Sequence, residues 1–217
     1  MKLHSEWKKI VPAAALMLLA ANLIISGAIG IQTVGKLFLS GSVVFFGMII
    51  WFFRDPPRKI CKAPDKVLSP ADGDIVEIMK VTEKEYFHDE RIQVSVFMSV
   101  FNVHINRIPV EGEIIYQNHI NGRFLPAFIK RSSELNERCS TVIRTRSGQE
   151  ILVRQIAGIV ARRIRTFKKP GEKVTQSDEL GFIRFGSRVD IFLPVTSSVK
   201  VEHHQKSIGG QTIIATL

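Results

Sequence analysis

At 217 residues the chain has room for one domain behind a membrane anchor, and not for several domains. Its formal net charge of +10 points to an anionic partner, and its two cysteines, with no CxxC or Cys/His ligand spacing, exclude a disulfide framework and a metal site. Lys2, Lys8, Lys9 and Lys36 against Glu6 account for less than half of that charge, so most of it falls beyond residue 53. A basic domain suits an anionic lipid surface or an anionic lipid substrate. Nucleic acid is the competing partner for a basic chain. It is not indicated, because no nucleic-acid motif is present and aromatic residues do not interleave with the basic ones. Cys61 and Cys139 read as reduced thiols of a cytoplasmic protein.

Residues 1–9 are polar and basic. Two uncharged, mostly apolar runs follow, at about 11–31 and 37–53, with Gln32 to Lys36 between them. A spanning helix needs about 20 such residues, so the pair reads as a membrane hairpin. A cleaved signal peptide is the rival for the first run, and the second run argues against it. Lys2, Lys8 and Lys9 precede the hairpin, while Arg54, Arg58, Lys59, Lys62 and Lys66 follow it. The bias of basic residues therefore puts both ends in the cytoplasm, with Trp7 and Trp51-Phe52-Phe53 at the interfaces. Asp55-Pro56-Pro57-Arg58 ends the second helix, since proline cannot continue it. Residues 1–59 are thus the anchor and 60–217 the domain.

From Lys66 onward the pattern is β-rich. Strands are predicted over Ile75–Met79, Gln93–Met98, Gly112–Tyr116, Val160–Phe167, Ser198–His203 and Thr212–Thr216. Thr141–Thr145 and Ile151–Gln155 flank Ser147-Gly148 as a hairpin. A weak helix is predicted over Ala127–Asn136. Near the C-terminus, Phe182 and Arg184, then Val189, Ile191 and Leu193, alternate as in half-buried strands. Between them sits Gly186-Ser187. Glycine allows a backbone that other residues resist. The pair is either a bulge or a bond that Ser187 attacks from its own side chain.

Three further clusters bear on chemistry. Ser69-Pro70-Ala71-Asp72-Gly73-Asp74 is a turn with two carboxylates, which turn chemistry alone explains. His104, in Phe97 to Pro109, becomes a base only with a nucleophile and an orienting partner nearby. Asn136-Glu137-Arg138, after Lys130-Arg131, is either a solvated charged face or a head-group site.

Taken together and in order, these segments resemble one family, the phosphatidylserine decarboxylases. Ser69 to Gly73, Phe97 to Pro109, Asn136 to Arg138, Gln155-Ile156-Ala157-Gly158 and Glu179 to Phe192 carry the likeness. It covers nearly all of residues 64–217 and is closest to the short bacterial and archaeal type, with Phe185-Gly186-Ser187 at the cleavage point. The resemblance implies a mainly β fold: a compact β-rich self-processing domain behind the two-helix hairpin. It implies a cut between Gly186 and Ser187, giving a large chain 1–186 and a small chain 187–217 that stay together as a heterodimer. Ser187 becomes a pyruvoyl group, the cofactor, whose ketone forms a Schiff base with the amine of phosphatidylserine in the membrane. Loss of carbon dioxide gives phosphatidylethanolamine. It further implies Asn136, Glu137, Arg138 and Arg107 as head-group ligands. Of the residues present, His104 oriented by Asp72 is the best catalytic base for Ser187. Longer members carry a second histidine, usually assigned as their self-cleavage base, where this chain has Arg107, which stays protonated and cannot serve as a base. Either His104 takes over here or another group serves. Longer members also carry aspartate where this chain has Asn102.

Two other readings predict different things. A pyruvoyl decarboxylase for a soluble amino acid shares the cut but not the hairpin. A lipoyl-carrier module needs a lysine at a hairpin tip, for which Met79-Lys80 is a poor fit. The sequence leaves association beyond the two chains open.

Overall fold

The computed structural model describes residues 2–29, 33–59, 63–123, 125–127, 132–158, 163–184 and 186–217. Cys61, Lys130, Arg131, Phe185 and the start of the strand predicted at 160–167 lie outside these. The chain forms two compact units, Met1–Pro57 and Arg58–Leu217.

The first unit consists of β1 (Lys2–Leu3), α1 (Trp7–Ile29), α2 (Thr33–Phe52) and β2 (Arg54–Asp55). Both helices are long and apolar enough to cross a membrane. β1 pairs antiparallel with β2, so the two ends of the hairpin meet. Midway along, Asn22 donates to Ser42 Oγ at 3.0 Å and to Leu18 O at 2.7 Å. Ser42 Oγ donates in turn to Phe38 O at 2.9 Å. Polar side chains in apolar helices need such partners. Each helix starts four residues before the apolar run that announced it. Trp7–Ile10 and Thr33–Lys36 are helical despite their polarity. A helix satisfies its own backbone on either side of the hydrocarbon border. Polar residues therefore mark that border and not the helix end.

The second unit is mainly β. In chain order it holds β3 (Lys66–Leu68), β4 (Gly73–Thr82), β5 (Glu90–Met98), β6 (Ile105–Arg107) and β7 (Gly112–Ile120). Then come α3 (Ser132–Leu135), β8 (Arg138–Arg144), β9 (Glu150–Ile156), β10 (Ile164–Thr166), β11 (Lys173–Val174) and β12 (Glu179–Ile183). β13 (Ser187–Pro194), β14 (Ser198–Val199), β15 (Lys206–Ser207) and β16 (Ile213–Thr216) close it. An antiparallel sheet of eight strands runs β11-β7-β8-β9-β13-β5-β4-β15. Two three-stranded sheets, β10-β12-β6 and β14-β16-β3, accompany it. Of the helix predicted over Ala127–Asn136, residues 128–131 lie outside the described residues, and Ser132–Leu135 form one turn, α3. Lys80 stands within β4 opposite Ile92, not at a hairpin tip.

One face of the large sheet carries the core. Val94, Val96 and Met98 of β5 meet Val189, Ile191 and Leu193 of β13 and Ile151 and Val153 of β9. The other face was expected to be solvated on β13, and it is not. Every residue from Ser187 to Leu193 is buried. Phe192 packs with Val142 and Leu152. Arg188 is wholly buried. Its Nε donates to Asp190 Oδ1 at 2.6 Å, and its Nη2 to Glu77 Oε2 at 2.5 Å and Ser95 Oγ at 2.8 Å. Burial alone would lower the pKa of Arg188, but Asp190 and Glu77 outweigh it and the pKa rises. Buried charges persist only when paired and hydrogen-bonded, and here the pairing fixes the start of β13.

Candidate active site

The Gly186–Ser187 bond lies where the chain leaves the three-stranded sheet at β12 and enters the centre of the large sheet at β13. Gly186 has φ +67°, in the left-handed region where glycine is at home. The position a Cβ would take there has nothing within 4 Å. Backbone conformation, not crowding, is what selects glycine.

Ser187 opens β13 opposite Met98 of β5. Its hydroxyl is wholly buried and makes no hydrogen bond among the described residues. Leaving a buried hydroxyl unbonded costs about 1–3 kcal/mol, so such a group calls for an explanation beyond packing.

His104 is also wholly buried, immediately before β6. β6 pairs with β12, and Ile183 N donates to His104 O at 3.4 Å. This backbone pairing carries the ring to the end of β12. Gly186 N donates to His104 Nε2 at 3.3 Å, and Nδ1 lies 3.0 Å from Asn102 O. A carbonyl accepts only, so the ring proton sits on Nδ1 and the Nε2 lone pair faces Gly186.

Asp72 does not orient this ring. Its carboxylate takes Arg58 Nη2 at 2.6 Å and Gly209 N at 2.8 Å. The expected Asp72–His104 pair is therefore replaced: the Asn102 carbonyl orients the histidine, while Asp72 ties residues 58 and 209 together. Asp72 is drawn there because an arginine and a backbone N–H together offer a carboxylate charge-assisted bonds.

Gly158 stands against the Gly186 carbonyl. A Cβ on Gly158 would lie 2.3 Å from Gly186 O. The segment that carries it is held from Asn136, whose Nδ2 donates to Ala157 O at 2.8 Å and Leu125 O at 2.7 Å. Asn136 Oδ1 accepts from Leu125 N at 2.9 Å, so this amide is fully engaged. Glu137 is buried too and meets His119 Nε2 at 3.1 Å. Asn136 and Glu137 are thus not part of an exposed charged face. Their backbones continue into β8, which turns them inward. Arg138 donates to Glu134 O at 2.6 Å and lines the far side of the sheet. Arg107 Nη1 donates to Ser177 O at 3.2 Å.

A second polar pair went unread in the sequence. Gln155 Nε2 donates to Asn106 Oδ1 at 2.7 Å, and Asn106 Nδ2 reaches Met98 Sδ at 3.6 Å. Gln155 Oε1 is buried without a partner among the described residues. Gln155 shares the core face with Val153, and Met98 is the neighbour of Ser187 across the ladder. The signal was the polar residues at 106 and 155 inside otherwise apolar strands. A cavity of about 560 Å³ lies elsewhere, on the opposite face of the sheet, lined by Glu77, Glu83, Glu85, Arg138, Arg154 and Phe192. Ser187 shares the core face with Val189, and the cavity belongs to the face of Phe192. The cavity is therefore not where the Gly-Ser bond is.

The family profile described as phosphatidylserine decarboxylase matches residues 45–215. The phosphatidylserine decarboxylase proenzyme of Amoebophilus asiaticus is 44% identical over 218 residues, covering 100% of this chain and 97% of its own. That of Parabacteroides distasonis is 44% identical over 221 residues, covering 100% and 99%. That of Porphyromonas gingivalis is 42% identical over 219 residues, again covering 100% and 99%. The matched span contains His104, Gly158 and the Gly186–Ser187 bond, and the relatives align end to end with it. The chain belongs to the phosphatidylserine decarboxylase family.

Proposed function

We propose that this decarboxylase is a precursor that cuts its own Gly186–Ser187 bond and then acts on phosphatidylserine; its relatives are named phosphatidylserine decarboxylase proenzymes. The observation that carries the reading is the buried, unbonded Ser187 hydroxyl directly after a glycine held at φ +67°.

The steps use groups of this chain. Ser187 Oγ adds to the Gly186 carbonyl carbon and gives its proton to a base. The amide C–N bond breaks, leaving Gly186 esterified to Oγ and a free amine on Ser187. Loss of the Ser187 α-proton expels the Gly186 carboxylate and leaves a dehydroalanine. Water replaces its nitrogen, ammonia departs, and the small chain then begins with a ketone.

Serine is a weak nucleophile without a base, and His104 is the base this geometry supports. Its Nε2 lone pair lies two covalent bonds from the attacked carbon, on Gly186 N. Exchanging that long 3.3 Å bond for the Ser187 hydroxyl puts the proton on the ring. Arg107 stays protonated and cannot substitute. Gly158 leaves room for the carbonyl oxygen, and Asn136 holds Gly158 in place through Ala157.

A pyruvoyl group at position 187 fits the site, since it needs no more volume than serine and breaks no hydrogen bond of the hydroxyl. Once formed, it supplies the electron sink for decarboxylation. After the cut, β13 stays laddered to β9 and β5, so chains 1–186 and 187–217 remain one heterodimer without a covalent link. Asn136 and Glu137 are held within the fold and Arg138 is on the far face. Among the expected head-group residues we therefore retain Arg107, the cation on β6 three residues after His104, as the candidate for the anionic head group. The two apolar helices hold the enzyme in the cell membrane with the domain on the cytoplasmic side, where product feeds phospholipid synthesis.

The test is release of labelled carbon dioxide from phosphatidylserine labelled at the serine carboxyl. Wild-type protein is expected to release it and Ser187→Ala to retain it. Release from free labelled serine but not from the lipid would favour the soluble-substrate reading. Release by Ser187→Ala at the wild-type rate would overturn the role of Ser187.

A further inference from the structure

We propose that the Ser99–Asn102 turn and the outer edge of β10 form a bilayer-contact surface that seats the domain on anionic lipid beside its reactive bond. The inference rests on the decarboxylase reading above and adds to it the part of the domain that meets the membrane.

The turn joins β5 to the segment that bears His104. Asn102 N donates to Ser99 O at 3.0 Å and closes it. The Asn102 side chain locks it again, accepting from Ser99 N at 2.9 Å and Ser99 Oγ at 2.8 Å. Serine and asparagine at the ends are ordinary turn chemistry, but the two corners are not. Corners favour glycine, proline, aspartate or asparagine, and here they are Val100 and Phe101. Val100 is 43% exposed and Phe101 64% exposed. A rigid turn presents them outward at little entropic cost. Single exposed apolar residues need no explanation. Two at the corners of a doubly locked turn are a different matter.

Position decides the occupant. The turn starts one residue after Met98, the ladder partner of Ser187. Phe101 is three residues from Met98, so its Cα is at most about 11 Å away. Asn102 also accepts the ring proton of His104. In the three-stranded sheet β10-β12-β6, β10 is basic and lies across β12 from β6. Ile105 pairs with Phe182, and Phe182 with Arg165. Along the β10 segment Arg163, Arg165, Phe167 and Lys169 are exposed at alternate positions. No carboxylate occurs from residue 159 to 170. Lys168, between them, is instead tied to Asp178 at 3.6 Å. An apolar tip flanked by cations is how an interfacial binder meets anionic lipid. A substrate whose acyl chains stay in the bilayer requires the reactive bond to come to that surface.

The test uses the full chain in vesicles. In Phe101→Trp, brominated acyl chains should quench the new tryptophan beyond the level given by Trp7 and Trp51 in wild type. This arm reads contact whether or not the enzyme turns over. In Val100→Ser/Phe101→Ser, self-cleavage should stay complete. Turnover of short-chain phosphatidylserine dispersed as monomers should stay within about twofold. Turnover of phosphatidylserine in anionic vesicles should fall about tenfold or more, the scale set by withdrawing a phenylalanine from an apolar medium. No extra quenching overturns the proposal, as does an equal fall, or no fall, on both substrate forms. Failure of wild-type protein to cleave or decarboxylate would instead sink the functional reading and leave the quenching result to judge the surface.

Discussion

Gly158→Ala should disable self-cleavage more than alanine at the cut site itself. A Cβ at residue 158 would stand 2.3 Å from Gly186 O and 3.2 Å from Gly186 C. An ordinary contact needs about 1 Å more, and both groups are backbone, so neither swings aside. The carbonyl that Ser187 must attack is pushed off line by that amount. A 1 Å misplacement of a reacting group costs roughly a hundredfold in rate. Gly186→Ala meets nothing within 4 Å and pays only for the left-handed φ of +67°. That strain is about 1–2 kcal/mol for an L-residue. Its effect on the rate should stay at about thirtyfold or below. The assay is intact mass at timed points after cell-free synthesis, following loss of the uncut chain. Near-ultraviolet circular dichroism of each variant checks that the domain has folded. A folded Gly158→Ala chain that cuts within threefold of wild type would refute the claim that Gly158 seats the carbonyl.

His104→Ala should slow cleavage by about a hundredfold to ten-thousandfold, the range for a lost general base. His104→Gln can still accept from Gly186 N but cannot take a proton, so it should remain as slow; a wild-type rate in the glutamine variant would leave His104 a positioning role only. Asp72→Asn should lower the thermal midpoint through its weakened bond to Arg58, with cleavage in folded protein nearly unchanged; a cleavage defect without a stability defect would contradict the assignment. Burial pushes the pKa of Glu83 up, but N–H groups of Phe87, Tyr86 and Glu85 and the Arg154 guanidinium together pull it below the ordinary 4.5. Its contribution is therefore present above about pH 4.5 and lost as pH falls through its lowered folded value. Wild-type protein should lose stability over that acid range by more than Glu83→Gln does, as read by thermal melts at stepped pH.

Local pattern reveals some parts of this molecule and hides others. The hairpin, the long strands and the Gly186–Ser187 junction are written in neighbouring residues, as apolar run length, alternation and one glycine. The buried far face of β13 is not. Arg188 and Asp190 alternate with apolar residues like a solvated face, and only Glu77, Ser95 and Ser133, from elsewhere in the chain, turn them inward. Arg58 counted as a cation flanking the membrane, yet its guanidinium is spent on Asp72. That bond in turn removed Asp72 from His104. Asn136 looked like a head-group ligand because its charged neighbours suggested a surface, while its own amide clamps Leu125 and Ala157. Gly158 gave no local sign of its role, since the carbonyl it accommodates comes from 28 residues later in the chain. β6 is three residues long, too short for periodicity to announce, and it is what carries His104 to the site.

The central claim is that Ser187 becomes the ketone terminus of a small chain. Intact mass spectrometry of purified wild-type protein tests it most directly. The account predicts a 31-residue fragment, 187–217, lighter by one ammonia than the same peptide with an N-terminal serine. Ser187→Ala should give one uncut chain. A wild-type protein that decarboxylates phosphatidylserine at full rate as a single uncut chain, or whose small fragment keeps a serine amine, would contradict it.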